Sequence, residues 1–213
     1  MVNRRNSIKI FMIIILVVVL FSAVFLLIQF NFPNAEKKDK IITRSTTSEV
    51  AVIAIHGGEM EPGTSELADE IAGSNYNFYT YYGNSVAKHI TATLYNEPIG
   101  RNLVESSMRT LSIHGCDGVD KFTYVGGLDK GLAEKVKKNL VAAGFTIKTA
   151  PKNLDASDPI NIVNSNGSGQ GVQIELSRGL RESFYEDLTE SGRQNKTEAF
   201  YQYVAAIKAA LVE

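Results

Sequence analysis

The stretch "AVIAIHGGEMEPGTSELADEIAG", Ala51 to Gly73, decides how this chain is read. It opens as a run of β-branched and small apolar residues and stops at Gly57-Gly58, as a buried strand closed by a turn does. It ends with a helical spacing of apolar residues, with Thr64 or Ser65 placed to cap the helix and Gly73 to stop it. In and after the turn lie His56, one of three histidines in the chain, and the acids Glu59, Glu61, Glu66 and Glu70. On a regular pleat His56 shares a face with Val52 and Ala54, while Ile53 and Ile55 face the other way.

The same punctuation continues downstream. "NFYTYYG" from Asn77, "HITATLY" from His89, "RTLSIHG" from Arg109, "KFTYVGG" from Lys121, "FTIKTA" from Phe145 and "GVQIELS" from Gly171 read as strands. "EPIGRNLVESSM" reads as a helix entered through Glu97 and Pro98. "DKGLAEKVKKNLVAAGF" is amphipathic, with Leu132, Val136 and Leu140 on one face and Gly144 at its C-terminal cap. "RGLRESFYEDL" starts a further helix, and "KTEAFYQYVAAIKAALV" closes the chain with another. Strands alternating with helices predict an α/β fold with an open mixed β-sheet flanked by helices. Such sheets bind ligands beyond the carboxyl ends of their strands.

At 213 residues the chain has room for one domain of about 170 residues beside an N-terminal segment. That segment, "MVNRRNSIKIFMIIILVVVLFSAVFLLIQFNF", places Arg4, Arg5 and Lys9 before an uncharged run from Ile10. The run is long enough to span a bilayer, at about 20 residues, and longer than the apolar part of a signal peptide, about 7 to 15. The expected organisation is a short cytoplasmic tail (1–9), a transmembrane signal anchor (10–31), a polar tether (32–47) and a domain at 48–213 outside the cell. The alternative is secretion after signal cleavage. Lys37, Lys38 and Lys40 nearly balance the basic residues of the tail, so orientation rests on the tail's shortness. Residues 1–35 carry three basic residues and no acid, which leaves the remainder at −4 against −1 for the whole chain. A mildly acidic domain without a basic block argues against a nucleic-acid partner. Cys116 is the single cysteine, so no intramolecular disulfide forms. A monomer is expected.

Two strand ends carry the chemistry. "IAIHGG" and "LSIHGC" each end a strand in histidine followed by glycine, which leaves the imidazole at a strand tip. His56 and His114 with one carboxylate would form a three-ligand zinc site with an open position. Spacing leaves the carboxylate open among Glu59, Glu61, Glu66 and Glu70. Glu175, flanked by Ile174 and Leu176, is costly to bury without a partner, and beside zinc it could act as general base. Arg101, Arg109, Arg178 and Arg181 could hold a substrate carboxylate as bidentate forks, and Asn164 to Asn166 could donate amide hydrogens. A Cys116–His114 nucleophile pair is a weaker reading, because neighbours in one turn rarely align for proton transfer. "GSGQG" (Gly167–Gly171) precedes a strand and lacks the Lys-Ser/Thr of a phosphate loop, so it reads as a loop. His89 begins a strand that could lie near the cleft, and a structural role is the better reading for it.

"IHGGEMEPGTSELADEIA", "KHITATLYNEP", "LSIHGC" and "NIVNSNGSGQGVQIELSRGLR", in that order, resemble the poly-γ-glutamate hydrolase family of bacilli and their phages. The resemblance runs from about Val50 to the C-terminus. It implies a compact, zinc carboxypeptidase-like fold and hydrolysis of amide bonds in γ-linked glutamate polymers. Carried over, it makes His56, Glu61 and His114 the ligands of one zinc ion and Glu175 the catalytic carboxylate. Arg178, Arg181, Arg101 and Asn164 are then the expected substrate contacts, and Glu59 and Glu66 are surface charges. The polymer partner would be poly-γ-glutamate or a related anionic peptide polymer of the bacterial envelope. A membrane anchor departs from the phage-type pattern. The zinc N-acetylmuramoyl-alanine amidases also carry His-Gly-Gly after a first strand, and in that reading Glu70 would be the ligand. A non-enzymatic reading, an anchored pseudo-enzyme that grips an anionic polymer, conflicts with the presence of the whole implied catalytic set.

Overall fold

The computed structural model describes Lys9, residues 11–22 and residues 38–212. The chain divides into two units, Met1–Lys37 and Lys38–Glu213. In the first, residues 11–22 are helical and their apolar side chains are exposed. The rest of the expected anchor (10 and 23–31) and of the cytoplasmic tail (1–8) lies outside the described residues. Among the described residues no helix is long and apolar enough to cross a membrane.

The second unit is built on a seven-stranded sheet: β1 (Lys40–Arg44), β2 (Val50–Gly58), β3 (Asn77–Gly83), β4 (Arg109–Cys116), β5 (Thr123–Gly127), β6 (Ile147–Lys148) and β7 (Val172–Ser177). The spatial order is β1-β3-β2-β4-β7-β5-β6. Four consecutive strands, β3, β2, β4 and β7, run parallel, so their carboxyl ends share one edge. β1 joins β3 and β5 joins β7 antiparallel, which makes the sheet mixed, as expected. Helices α1 (Thr64–Ala72), α3 (Lys130–Ala142) and α5 (Glu198–Val212) cover one face through Leu67, Ile71, Val136, Leu140, Phe200 and Ile207. The opposite face is covered by α2 (Pro98–Glu105) and by the segments around Tyr95 and Ile162. A short helix, α4 (Arg178–Glu182), follows β7 directly.

Most elements follow their local chemistry. Glu97 caps α2 by accepting from the Ile99 and Gly100 N–H groups, and Asp129 caps α3 through Leu132 N–H. The residues expected to cap α1 do not. Gly63, in the left-handed region, holds that position, and Thr64 and Ser65 instead turn their hydroxyls to Glu61 O and Thr80 Oγ1.

Two strand assignments change. Part of the expected tether is strand: Lys40–Arg44 pairs with Phe78–Tyr82 along the whole of β1. "HITATLY" is no strand, because β1 and β2 already occupy both edges of β3. It follows a short 3-10 turn, Val86–Lys88, and its Ala92 carbonyl accepts from Ile162 N–H. "FTIKTA" contributes only Ile147–Lys148.

The sheet also corrects the face assigned to His56. The β2–β3 register slips between Ala54 and Gly57. Val52 and Ala54 pack on the α1 side, while Ile53 and Ile55 pack on the α2 side. Strict alternation would send His56 to the α1 side. The bulge turns it over, so it meets His114, whose neighbours Leu111 and Ile113 occupy the α1 side.

Candidate active site

Four segments converge at the carboxyl edge of the sheet. β2 delivers His56 and, across the Gly57-Gly58 turn, Glu61. β4 delivers His114, and β7 delivers Glu175 in register with it. The turn is fixed by Glu61 N–H donating to His56 O, and by Thr64 N–H and Oγ1–H donating to Glu61 O. It needs glycine at both positions. A Cβ on Gly57 would overlap the Ser65 hydroxyl, and Gly58 has φ +72 and lies against the Gly83 carbonyl.

All three histidines of the chain meet here. His56 Nδ1 lies 2.8 Å from Glu61 Oε1 and 3.1 Å from His114 Nδ1, and His114 Nδ1 lies 3.4 Å from Glu61 Oε2. His56 Nε2 lies 2.7 Å from Ile90 O. That carbonyl can only accept, so we assign the proton to Nε2, which leaves the Nδ1 lone pair facing the cluster. Gly115 N–H donates to Glu61 Oε2 at 2.8 Å and aims the carboxylate. The ligand atoms of the three buried residues lie within 4.8 Å of one another. Acceptor atoms packed this closely repel unless a proton or a metal cation lies among them. Two imidazole nitrogens and a carboxylate oxygen are the donor set of hydrolytic zinc sites, so the residues fit that ion.

Burial alone would raise the Glu61 carboxyl, but the surrounding imidazoles, His114 foremost, hold it well below the usual carboxylate range. His56 is pushed down by burial, against the pull of Glu61. His114 is also buried, yet Glu61 and Glu175 hold it above its ordinary value. Burial pushes Glu175 up to about 7, and its Oε1 accepts from Gln173 Nε2–H at 2.8 Å.

The cluster lies on the floor of a cavity of about 760 Å³ whose walls include Thr91, Tyr124, Lys152 and Asn161. That volume suits a peptide segment rather than an ion alone. His89 also lines it. Its ring stacks on His56 at 3.7 Å between centroids, and its Nε2 lies 3.2 Å from Glu61 Oε1. The structural role expected of His89 is therefore a place in the site. The signal available in sequence was only that the chain has so few histidines and this one precedes an Ile-Thr-Ala-Thr segment.

The expected substrate contacts lie elsewhere. Arg101, Arg178, Arg181 and Asn164 are not among the cavity-lining residues. Arg178 is exposed and pairs with Glu182, and Arg101 pairs with Glu105. Asn164 is buried, donating to Ala156 O and Asp158 O. Arg181 is a clasp. It donates to Pro62 O, Cys116 O and Leu176 O, tying together the three segments that carry Glu61, His114 and Glu175. Its guanidinium fills the space beside Gly115, where a Cβ would come within 2.7 Å of Cζ. Arg109 donates to Leu211 O on α5.

Glu59 and Glu66 are not simply solvated. Both pair with Arg193, which is wholly buried and also donates to Tyr82 Oη. Glu70 pairs with Lys196 at 2.6 Å and is absent from the ligand cluster. Burial pushes the Cys116 thiol up to about 11, away from the thiolate that a reactive cysteine presents.

A family model for poly-gamma-glutamate hydrolase matches residues 31–206. The SPbeta prophage-derived UPF0714 protein YoqZ of Bacillus subtilis (strain 168) is 34% identical over 174 residues, covering 78% of this chain and 63% of that protein. The chain thus spans just under two thirds of that relative's length. The structure of a bacteriophage poly-gamma-glutamate hydrolase superposes with a TM-score of 0.79 at 30% identity, over 85% of this chain and 92% of that one. The zinc-free structure of YndL, a UPF0714 protein of Bacillus subtilis (strain 168), gives 0.78 at 30% identity, over 86% and 94%.

Proposed function

The chain belongs to the poly-gamma-glutamate hydrolase family, and on that premise we propose that it is a zinc-dependent amidohydrolase of γ-glutamyl bonds in poly-γ-glutamate or a related envelope polymer. One observation carries the reading. His56, Glu61 and His114 converge as a buried donor set beside Glu175, on the floor of a cavity of about 760 Å³. Support for zinc in particular comes from the composition of that set and from the zinc-free form described for YndL.

When bound, zinc supplies a Lewis acid for the scissile carbonyl and lowers the pKa of water towards 7. His56 and His114 would hold it through Nδ1, and Glu61 through its carboxylate. Glu175 ionises in the neutral range and takes the proton of the attacking water, then returns it to the leaving nitrogen. In the strand order Glu175 sits on the β7 side of the ligands, and His89 approaches from the β2 side. His89, which lines the cavity and whose Nε2 lies 3.2 Å from Glu61 Oε1, is the ring N–H we assign to the charge that gathers on the carbonyl oxygen. Lys152 is the one lysine or arginine among the cavity-lining residues; it donates to Ser157 Oγ at 2.6 Å and lies 3.4 Å from Asp155, and its exposed side chain is the cation we assign to a substrate carboxylate.

Residues 10–31 are part of the same proposal, as an anchor that keeps the hydrolase at the outer face of the cell membrane. Support comes from the uncharged run itself and from the exposed apolar side chains of residues 11–22, which need an apolar surrounding.

Glu175→Gln tests the catalytic assignment. It is expected to bind zinc like the parent and to lose about 10²- to 10⁴-fold in turnover of poly-γ-glutamate. Parental turnover in the zinc-loaded variant would overturn it.

A further inference from the structure

A directed chain of buried amides ends on Glu175. Val163 N–H donates to Asn161 Oδ1 at 3.1 Å. A backbone N–H can only donate, so this bond assigns the two ends of the Asn161 amide and leaves Nδ2 as the donor on the other side. Nδ2 meets Gln173 Oε1 at 3.2 Å, which assigns the Gln173 amide in turn. Gln173 Nε2–H then donates to Glu175 Oε1 at 2.8 Å. All three side chains are nine-tenths or more buried, and all three line the cavity. Gln173 and Glu175 share a face of β7, opposite Ser112 and His114 of β4.

We propose that Asn161 and Gln173 are positioning residues that engage Oε1 of Glu175 and so hold its other oxygen for proton transfer in the cavity. The proposal rests on the reading of Glu175 as the base. Each member is oriented by the one before it, and the chain starts from the backbone. The base therefore needs no ordering when substrate arrives.

The test uses the zinc-loaded full chain with poly-γ-glutamate as substrate and Glu175→Gln as reference. Gln173→Met keeps the side-chain length and removes the donor. It is expected to lower kcat about 10- to 100-fold. KM should stay within about twofold, with zinc content unchanged. A fall in kcat at constant KM and constant zinc content is one that a merely space-filling Gln173 would not cause. Asn161→Asp retains the oxygen that serves Val163 N–H and loses the donor to Gln173. It is expected to act in the same direction, and it decides by the same readings if Gln173→Met fails to fold. Parental kcat in either folded variant, beside an inactive Glu175→Gln, overturns the positioning role alone. A fall in kcat matched by loss of zinc overturns it too. Retained turnover in Glu175→Gln overturns the base assignment and this proposal with it.

Discussion

Glu61 is the residue on which the metal assignment turns. Its backbone closes the turn after β2, and its carboxylate is aimed by Gly115 N–H at the meeting point of two imidazoles. Glu70 sits one helix further on and is engaged by Lys196. Glu61→Ala is therefore expected to abolish stoichiometric zinc binding while Glu70→Ala retains it, as read by metal content after dialysis. The opposite result would move the site to the amidase pattern. Glu175 makes a second statement at this scale. Its carboxyl is held up to about 7 when folded, against an ordinary value of 4.5. The folded state thus keeps a proton that the unfolded state gives up, and this contribution is full below pH 4.5 and lost as pH rises through 7. In metal-free protein, Glu175→Gln is expected to raise the melting temperature at pH 8, by as much as about 3 kcal/mol of stability, and to leave it unchanged at pH 4. Equal shifts at both pH values would contradict the burial argument. The sequence marked these positions because histidine before glycine at a strand end, and a carboxylate flanked by Ile174 and Leu176, are costly without a purpose; its spacing left Glu61 one of four acids, and only the family resemblance singled it out. It could not indicate the roles of the arginines. What Arg181 does depends on carbonyls of Pro62 and Cys116, far away along the chain.

At the scale of elements, two features decide the site that periodicity does not report. One is the slip between Ala54 and Gly57, which moves His56 to the other face of the sheet. A one-residue slip leaves the apolar pattern unaltered until the partner strand is in place. The other is the loop after β3. Its composition favours a strand, but a strand needs a free edge, and β3 has none. The segment instead lies across the end of β2, bringing Ile90 O to His56 and His89 to Glu61. A buried knot of Tyr79, Tyr95 and Glu97 hydroxyl and carboxylate groups secures its far end. β1 was missed for a related reason. "KIITR" is largely exposed, as an edge strand is, and carries little burial signal. A fragment beginning at residue 48 would lack β1 and leave the β3 edge bare. It is expected to melt lower and to self-associate on size-exclusion chromatography, whereas a fragment from Lys38 should do neither. Indistinguishable behaviour would mean that β1 adds nothing to the sheet.

At the scale of the molecule, the α/β class and the parallel inner strands were legible because glycine stops and apolar runs coincide along most of the chain. Amphipathic α3 and capped α2 fall where their sequences put them. The domain edge was not legible, since β1 lies inside the polar stretch read as a tether. Wholly buried Arg193 shows the same limit. It holds Glu59 and Glu66 from a segment more than a hundred residues later, so two acids that read as solvated are bound to the C-terminal part of the fold. What unites the scales is a site assembled at one edge of the sheet from four separated segments, with a cavity of about 760 Å³ above it. The most direct measurement of that account is the length distribution of poly-γ-glutamate after incubation with the full chain, first stripped by chelator and then reloaded with zinc. The account expects intact polymer with the stripped chain, and shortened chains bearing new amino termini once zinc is restored. Shortening that survives chelation, or polymer left intact by the zinc-loaded chain, would contradict it.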